Sequence, residues 1–210
     1  MPAITDLSLF IAAGLLLNVT PGADMLYVLS RGAAQGPRAG VVAALGIAVG
    51  CFGHIIFAVL GLSAILAASS LAFSLLKYIG AAYLFYLGIA TLLSLRSAPA
   101  RVTARPVAPL SKIFREAVLI NLLNPKVALF FLAFLPQFVL PHADSHALAL
   151  LVLGIIFNFN GTLVNMIVGM AAGTLAGRMR SHGRIAGWLK GAMGSVLIFL
   201  GARLALSEHN

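Results

Sequence analysis

Long apolar runs, separated by short polar or basic stretches, dominate the pattern of hydrophobic positions along this chain. A bilayer core of about 30 Å requires roughly 20 apolar residues per crossing helix. Stretches of this kind occur at approximately residues 7–29, 39–66, 71–95, 117–140, 147–172 and 185–206. The pattern therefore predicts an all-α membrane protein with six transmembrane helices.

The overall composition supports a membrane protein over a water-soluble one. Of the residues, 61% are hydrophobic and only 9% are charged, whereas soluble domains carry about a quarter charged residues. The net charge of +9 would suggest a nucleic-acid partner in a soluble protein. Here too few polar side chains remain to cover a solvated surface, and we expect no nucleic-acid partner.

Basic residues occur in alternate connections between the apolar stretches. They lie at Arg31 and Arg38, between residues 96 and 115, and between residues 178 and 190. Because short cytoplasmic loops retain Lys and Arg, these three connections are predicted to face the cytoplasm. Both termini would then lie on the outer side of a bacterial inner membrane.

A segment rich in Pro, Ser and Ala separates the third and fourth stretches. Residues 96–114 contain Pro99, Pro106 and Pro109, a composition typical of a flexible tether. The chain is thus predicted to be a single transmembrane domain of two repeats, 1–95 and 115–206. Since each repeat has three spans, the second would be inverted relative to the first, as in inverted-repeat transporters.

Each repeat has a proline within its first span. Pro21 is followed by Gly22, and Pro125 interrupts the fourth span; proline removes a backbone donor and kinks or breaks a helix. Broken helices in corresponding places of two halves indicate a binding site near the middle of the membrane. The short polar residues beside the breaks, which either line that site or satisfy freed backbone groups, are Asn18, Thr20, Asn121 and Asn124.

Opposite charges accompany the two breaks. Asp24 follows the first and Lys126 the second, although a charge at the bilayer centre costs at least about 2.5–3.5 kcal/mol. Both are expected to face the protein interior or a watery cavity, where Asp24 would bind the ammonium of a zwitterion, or a proton, and Lys126 its carboxylate. In the alternative interpretation Asp24 caps the resumed helix and Lys126 snorkels, so that both are structural.

Further polar residues occur inside the spans. Asn158, Thr162 and Asn165 share one helical face, which either lines the cavity or forms interhelical hydrogen bonds. His54 could carry protons, but a buried neutral histidine bonded to a carbonyl is the favoured interpretation. For Lys77, snorkelling to the membrane interface is favoured.

No metal site, cofactor or catalytic set is predicted. The single cysteine, Cys51, lies in an apolar run without an evident base, so an embedded enzyme is disfavoured. GxxxG spacings, such as Gly46/Gly50 and Gly169/Gly173, would let helices approach closely, either within one chain or in a homodimer.

At its breaks the chain resembles the lysine exporter and homoserine/threonine resistance (LysE/RhtB) family of amino-acid efflux proteins. The matching segments are NVTPGAD at 18–24, the glycine series from Gly32 to Gly50, LKYIGAAYLFYLG at 76–88, and NLLNPK at 121–126 followed by LPQF at 135–138. The resemblance implies an inner-membrane exporter of amino acids or close derivatives, driven by the proton-motive force.

Two departures from the family pattern concern the mechanism. Ala23 stands where the family often has a second proline, and the break then depends on Pro21 and Gly22. Some relatives carry a carboxylate in the fifth span, where this chain has only Asn and Thr. Asp24 is then the sole acidic candidate for a proton site.

The combined prediction is a secondary transporter that exports small neutral or hydroxylated amino acids, homoserine- or threonine-like, by alternating access and proton antiport. Its partners would be the amino acid, protons and the lipid bilayer. The rival function is a channel of the same topology, in which the broken helices line a continuous path.

Overall fold

The computed structural model describes residues 4–62, 70–93, 106–140 and 145–175, together with positions 195, 198, 199 and 202. Within these residues every element is helical except an isolated antiparallel bridge between Ile4 and Val139. Nearly all of the sixth predicted span, the basic loop before it and residues 96–105 of the tether lie outside the described residues. The side chain of Lys77 does as well.

Seven α-helices lie in the described part of the chain, and two of them continue into turns of a different pitch. The helices are α1 (Leu7–Val19), α2 (Ala23–Gln35), α3 (Pro37–Phe57), α4 (Ser70–Leu93), α5 (Leu110–Leu122), α6 (Pro125–Leu129) and α7 (His146–Leu175). A π-helical turn, Ala58–Leu62, extends α3, and the turns Phe130–Phe134 (π) and Leu135–Phe138 (3-10) extend α6.

Two helical segments, Pro37–Gly61 and His146–Thr174, are long and apolar enough to cross a membrane. The pairs α1/α2 and α5/α6 each qualify as one bent span, which gives up to four spans among the described residues. Helix α4 occupies the third predicted span, and its segment Tyr78–Ala90 is a shorter apolar helix. The all-helical membrane character is confirmed, whereas the six-helix arrangement of two repeats stays a prediction.

The two predicted breaks are present. Helices α1 and α2 are bent by 53° at Pro21, and α5 is bent from α6 by 42° at Pro125. Helix α1 ends at Val19, and the hydroxyl of the next residue, Thr20, donates a hydrogen bond of 2.7 Å to the carbonyl of Leu16. At the second break the side chain of Asn124 accepts a hydrogen bond of 3.0 Å from the backbone N–H of Lys126 and so caps α6. Thr20 and Asn124 therefore satisfy backbone groups at the helix ends.

The predicted end of the tether at residue 114 is wrong, because α5 already begins at Leu110. Pro109 precedes the helix, and its carbonyl accepts hydrogen bonds from the backbone N–H groups of Lys112 and Ile113. Ile113 is fully buried against Tyr27 and its neighbours. Packing of this apolar residue therefore favours a helix over a tether at residues 110–114.

The first two basic connections meet at one end of the bundle, where the end of α7 also lies. Gln35, at the end of α2, bonds to the backbone of Ala108, just before α5. Gly173, near the end of α7, packs against Gly36 and Pro37. At the opposite end the backbone N–H of Thr5 donates to the carbonyl of Phe138, and the predicted orientation in the membrane stays a prediction.

Glycines bring α3 into backbone contact with its neighbours. A Cβ added to Gly40 would lie only 2.6 Å from the carbonyl oxygen of Gly169 in α7, and one on Gly50 would lie 2.6 Å from that of Val118 in α5. Such spacings are shorter than real Cβ atoms show. Gly40, Gly50 and Gly169 are therefore used inside one chain, where they bring helices of the two predicted repeats together.

We expect Gly40→Ala to lower the melting temperature of the detergent-solubilised protein. The added methyl would force α3 from α7, and overpacking of this kind costs about 1–3 kcal/mol. For a protein of this size, each kcal/mol of lost stability lowers the melting temperature by roughly 2–4 °C. Gly61→Ala is the matched control, since its Cβ would find only ordinary contacts of 3.6 Å or more. Equal melting temperatures for the two variants would contradict close α3/α7 contact.

Candidate functional site

The two helix breaks lie against each other. The ammonium of Lys126 donates a hydrogen bond of 2.8 Å to the backbone carbonyl of Thr20, at the end of α1. A Cβ added to Gly22 would lie 3.4 Å from Nζ of Lys126, so the absence of a side chain there leaves room beside the ammonium. The second break thus supplies a cation to the first.

The carboxylate of Asp24 makes a similar connection in the other direction. Its Oδ2 accepts a hydrogen bond of 2.8 Å from the side-chain amide of Asn121, in the last turn of α5. Asp24 and Lys126 have different hydrogen-bond partners and form no direct ion pair with each other. An acid and a base therefore both lie at the joined breaks, and they are not paired with each other.

Among the described residues, three buried polar atoms at the breaks make no hydrogen bond of ordinary distance and angle, although the side-chain amide of Asn124 lies close enough to the Asp24 carboxylate to interact with it. The three atoms are Oδ1 of Asp24, Oδ1 of Asn121 and Nδ2 of Asn124. Leaving a buried polar atom unsatisfied costs about 1–3 kcal/mol, and native proteins contain few of them. Two acceptors and one donor, close to a lysine ammonium, are the groups that a bound polar solute would satisfy.

An apolar crevice adjoins Lys126. Its volume is about 200 Å³, including space open to solvent. The residues that line it are Leu17, Gly80, Tyr83, Lys126, Leu129, Phe130, Ala133 and Phe134. Apart from the lysine, Tyr83 offers the only polar side chain of this lining, so the surroundings of Lys126 on this side are mainly apolar.

The remaining polar residues predicted near the site make contacts between or within helices. Asn18 lies 3.5 Å from the carbonyl of Phe157, and Asn158 donates a hydrogen bond of 3.2 Å to the carbonyl of Ala48. Thr162 bonds to the carbonyl of Asn158 at 2.7 Å. Asn165 is buried, and its Oδ1 has no partner.

His54 is bonded to a carbonyl, as the favoured interpretation predicts. Its Nε2 lies 2.9 Å from the backbone oxygen of Asn121, and because a carbonyl only accepts, Nε2 carries the hydrogen. This bond holds the end of α5 close to α3. His54 therefore positions the residue whose side chain bonds to Asp24.

We expect His54→Gln to leave the pH dependence of transport unchanged. Glutamine retains an N–H donor of similar reach for the Asn121 carbonyl but cannot titrate. Transport rates measured across the pH range in proteoliposomes should follow the same profile as the wild-type rates, even if the maximum falls a few-fold. A flattened profile in this variant would make His54 a proton carrier.

Sequence reasoning missed a second polar cluster, at the end of the bundle where the basic connections meet. Arg31 of α2, counted only as a topology signal, is 4% exposed and pairs with Glu116 of α5 at 2.7 Å. Tyr27 and Gln35 complete the cluster through hydrogen bonds to these charges. Glu116 stood beside the start of a predicted span in a chain with only five acidic residues, which was the available signal.

Comparisons with known proteins identify the family of this chain. The family model described as LysE type translocator matches residues 15–208. The chain is 32% identical over 206 residues to an uncharacterized membrane protein of Pseudomonas aeruginosa, with 96% of this chain and 95% of the relative covered.

Two further relatives have functional names. The homoserine/homoserine lactone efflux protein of Salmonella typhimurium is 31% identical over 209 residues, covering 95% of this chain and 96% of the relative. The leucine efflux protein of Salmonella choleraesuis is 29% identical over 130 residues, covering 62% and 61%. No solved structure gives a significant match. The chain therefore belongs to the LysE type translocator family of membrane efflux proteins.

Proposed function

We propose that this protein is a secondary transporter that exports small neutral amino acids, or close derivatives such as homoserine- and threonine-like compounds, across the bacterial inner membrane. Its family and its relatives' efflux names support the export of amino acids.

The observation that carries the proposal is the set of unpartnered atoms at the breaks. The ammonium of an amino acid would donate to Oδ1 of Asp24 and Oδ1 of Asn121, both buried acceptors. Its carboxylate would accept from Nδ2 of Asn124 and from Lys126, whose ammonium has further donors beyond the one given to Thr20. Charge-assisted bonds of this kind are roughly twice as strong as neutral ones.

The surroundings favour a neutral substrate side chain. The crevice beside Lys126 is lined mainly by apolar residues, with Tyr83 as a polar group for a substrate hydroxyl. A basic side chain would require a second buried carboxylate, and the described site contains only Asp24. We therefore propose neutral or hydroxylated substrates over lysine-like ones.

Proton antiport follows from competition for one carboxylate. A substrate ammonium and a proton would bind Asp24 in turn, so that each must leave before the other binds. The polar face of α7 offers Asn158, Thr162 and Asn165 but no acid, which leaves this role to Asp24. The basic connections would face the cytoplasm, so substrate would enter at the end of the bundle near Gln35 and Ala108.

Export from preloaded cells tests the function directly. Cells with and without the protein are loaded with a panel of radiolabelled amino acids, and efflux is followed before and after collapse of the proton gradient. We expect saturable efflux of a few neutral amino acids that slows on collapse of the gradient. Efflux that is identical with and without the protein for every compound would contradict the proposal, and single-channel currents would indicate a pore.

A further inference from the structure

A buried network of charged and polar side chains joins α2 to α5. Arg31 and Glu116 form its centre, with Nη2 and Oε2 2.7 Å apart. The hydroxyl of Tyr27 donates to the same Glu116 oxygen at 2.8 Å, and Nε of Arg31 donates to that hydroxyl at 3.3 Å. The proposed mechanism for the substrate uses none of these groups.

The same network holds the chain segment that leads into the second half. Nη1 of Arg31 donates to the carbonyl of Pro106 at 3.0 Å. Gln35 makes two bonds to Ala108, one to its carbonyl at 2.9 Å and one from its backbone N–H at 3.0 Å. Hydrogen bonds from Arg31 and Gln35 therefore hold α2 against both α5 and the segment that precedes it, which contains Pro106 and Ala108.

The position of this network relative to the site follows from the helices that carry it. Arg31 lies seven residues after Asp24 on α2, and Glu116 lies five residues before Asn121 on α5. At a rise of 1.5 Å per residue these are separations of about 10 Å and about 8 Å along the two helices. Since Asp24 and Asn121 are bonded to each other, the network closes the space between the site and the basic end of the bundle.

The other end of the bundle is closed by different chemistry. Phe10 packs on Phe130 and Phe138, with ring centroids 6.1 and 5.2 Å apart, and Phe134 packs on both of those partners. All four rings are buried. The site therefore lies between an aromatic closure on one side and a charged closure on the other.

We propose that the Arg31–Glu116 network is the cytoplasmic gate, which opens to admit substrate and closes behind it. Arg31 is buried and Glu116 is about one-third exposed, which suits a gate because the attraction of the pair is partly offset by the desolvation of Arg31. When the helices separate, the Arg31 guanidinium regains water, and this hydration offsets part of the free energy lost with the ion pair. The inference rests on the proposed function for transport and for which face is cytoplasmic, but it does not depend on the identity of the substrate.

The single cysteine provides a reporter of the gate. Cys51 is buried on α3, one residue after Gly50, where an added Cβ would lie 2.9 Å from that of Asn121. Cys51 also belongs to the apolar cluster that contains Phe10 and Phe130, so a membrane-impermeant cationic methanethiosulfonate reagent coming from the charged end reaches it only when the Arg31–Glu116 network has opened and the helices around the site have separated. Labelling rates are measured on the full-length protein in inside-out and right-side-out membrane vesicles.

We expect Glu116→Gln to raise the labelling rate of Cys51 about tenfold in inside-out vesicles and to leave it unchanged in right-side-out vesicles. Glutamine keeps the shape of the side chain but removes the charge that holds Arg31. Lys112→Gln is the matched control, because Lys112 is an exposed partner of the same Glu116 at 4.0 Å, and it should label at the wild-type rate.

Three outcomes would overturn the gate: labelling of Glu116→Gln at the wild-type rate, an equal increase from both faces, or an increase only in right-side-out vesicles. An equal increase would show that the network only stabilises the fold. If Glu116→Gln does not reach the membrane, Tyr27→Phe takes its place, since it removes one hydroxyl. We expect it to raise labelling about threefold from the same face, and an unchanged rate would overturn the inference.

Discussion

Export from preloaded vesicles should fall to the background level when Asp24 is replaced by Asn. The variant loses the negative charge that would bind the substrate ammonium and exchange it for a proton. Loss of one charged hydrogen bond, worth about 1.5–3 kcal/mol, would alone weaken binding roughly 10- to 150-fold. The Asn side chain can still bond to Asn121, so we expect the variant to remain in the membrane.

Asp6→Asn is the control for this experiment. Asp6 directly precedes α1, whereas the helix break lies at the other end of this helix. Its backbone has a positive φ of 48°, a conformation that Asn also tolerates. We expect its export rate to match that of the wild type. Undiminished export by Asp24→Asn would remove Asp24 from the mechanism.

Replacing Lys126 with Met should raise the KM for the amino acid by roughly tenfold or more. The substitution removes the cation that would bind the substrate carboxylate, and it also leaves the Thr20 carbonyl without its 2.8 Å partner. A purely structural lysine would lower stability without changing selectivity. We therefore expect a second effect, in which the variant no longer prefers the amino acid over its amide, in which an uncharged carboxamide replaces the carboxylate.

The measurement is competition of the amide against transport of the radiolabelled amino acid in proteoliposomes. Lys112→Met is the control, because Lys112 is exposed on α5 away from the breaks, and it should retain the wild-type preference. Retention of this preference by Lys126→Met would show that Lys126 does not bind the carboxylate.

Strong local signals made much of the fold predictable. Pro21 and Pro125 remove backbone donors wherever they stand in a helix, and both broken helices are found at these prolines. Long apolar runs likewise fixed the existence of α3 and α7. The start of α5 was missed because it depends on burial of Ile113 against another helix, which no local pattern in residues 110–114 reveals.

The sequence indicated which residues to consider for the candidate site, but it did not indicate which groups these residues contact. A carboxylate and an ammonium within apolar spans are costly, which marked Asp24 and Lys126. Their actual partners, Asn121 and the Thr20 carbonyl, depend on how the two breaks meet in space. Glu116 was missed for the same reason, because its importance arises only from its contact with Arg31.

The central claim is that the joined breaks bind a dipolar solute through its ammonium, held by Asp24 and Asn121. The most direct test is equilibrium binding to the purified protein in lipid nanodiscs, comparing the exported amino acid with its N-acetyl derivative. N-acetylation removes the positive charge and two donors while the carboxylate and side chain remain. We expect the N-acetyl compound to bind at least roughly 100-fold more weakly. Binding of the two compounds with similar affinity would contradict the claim.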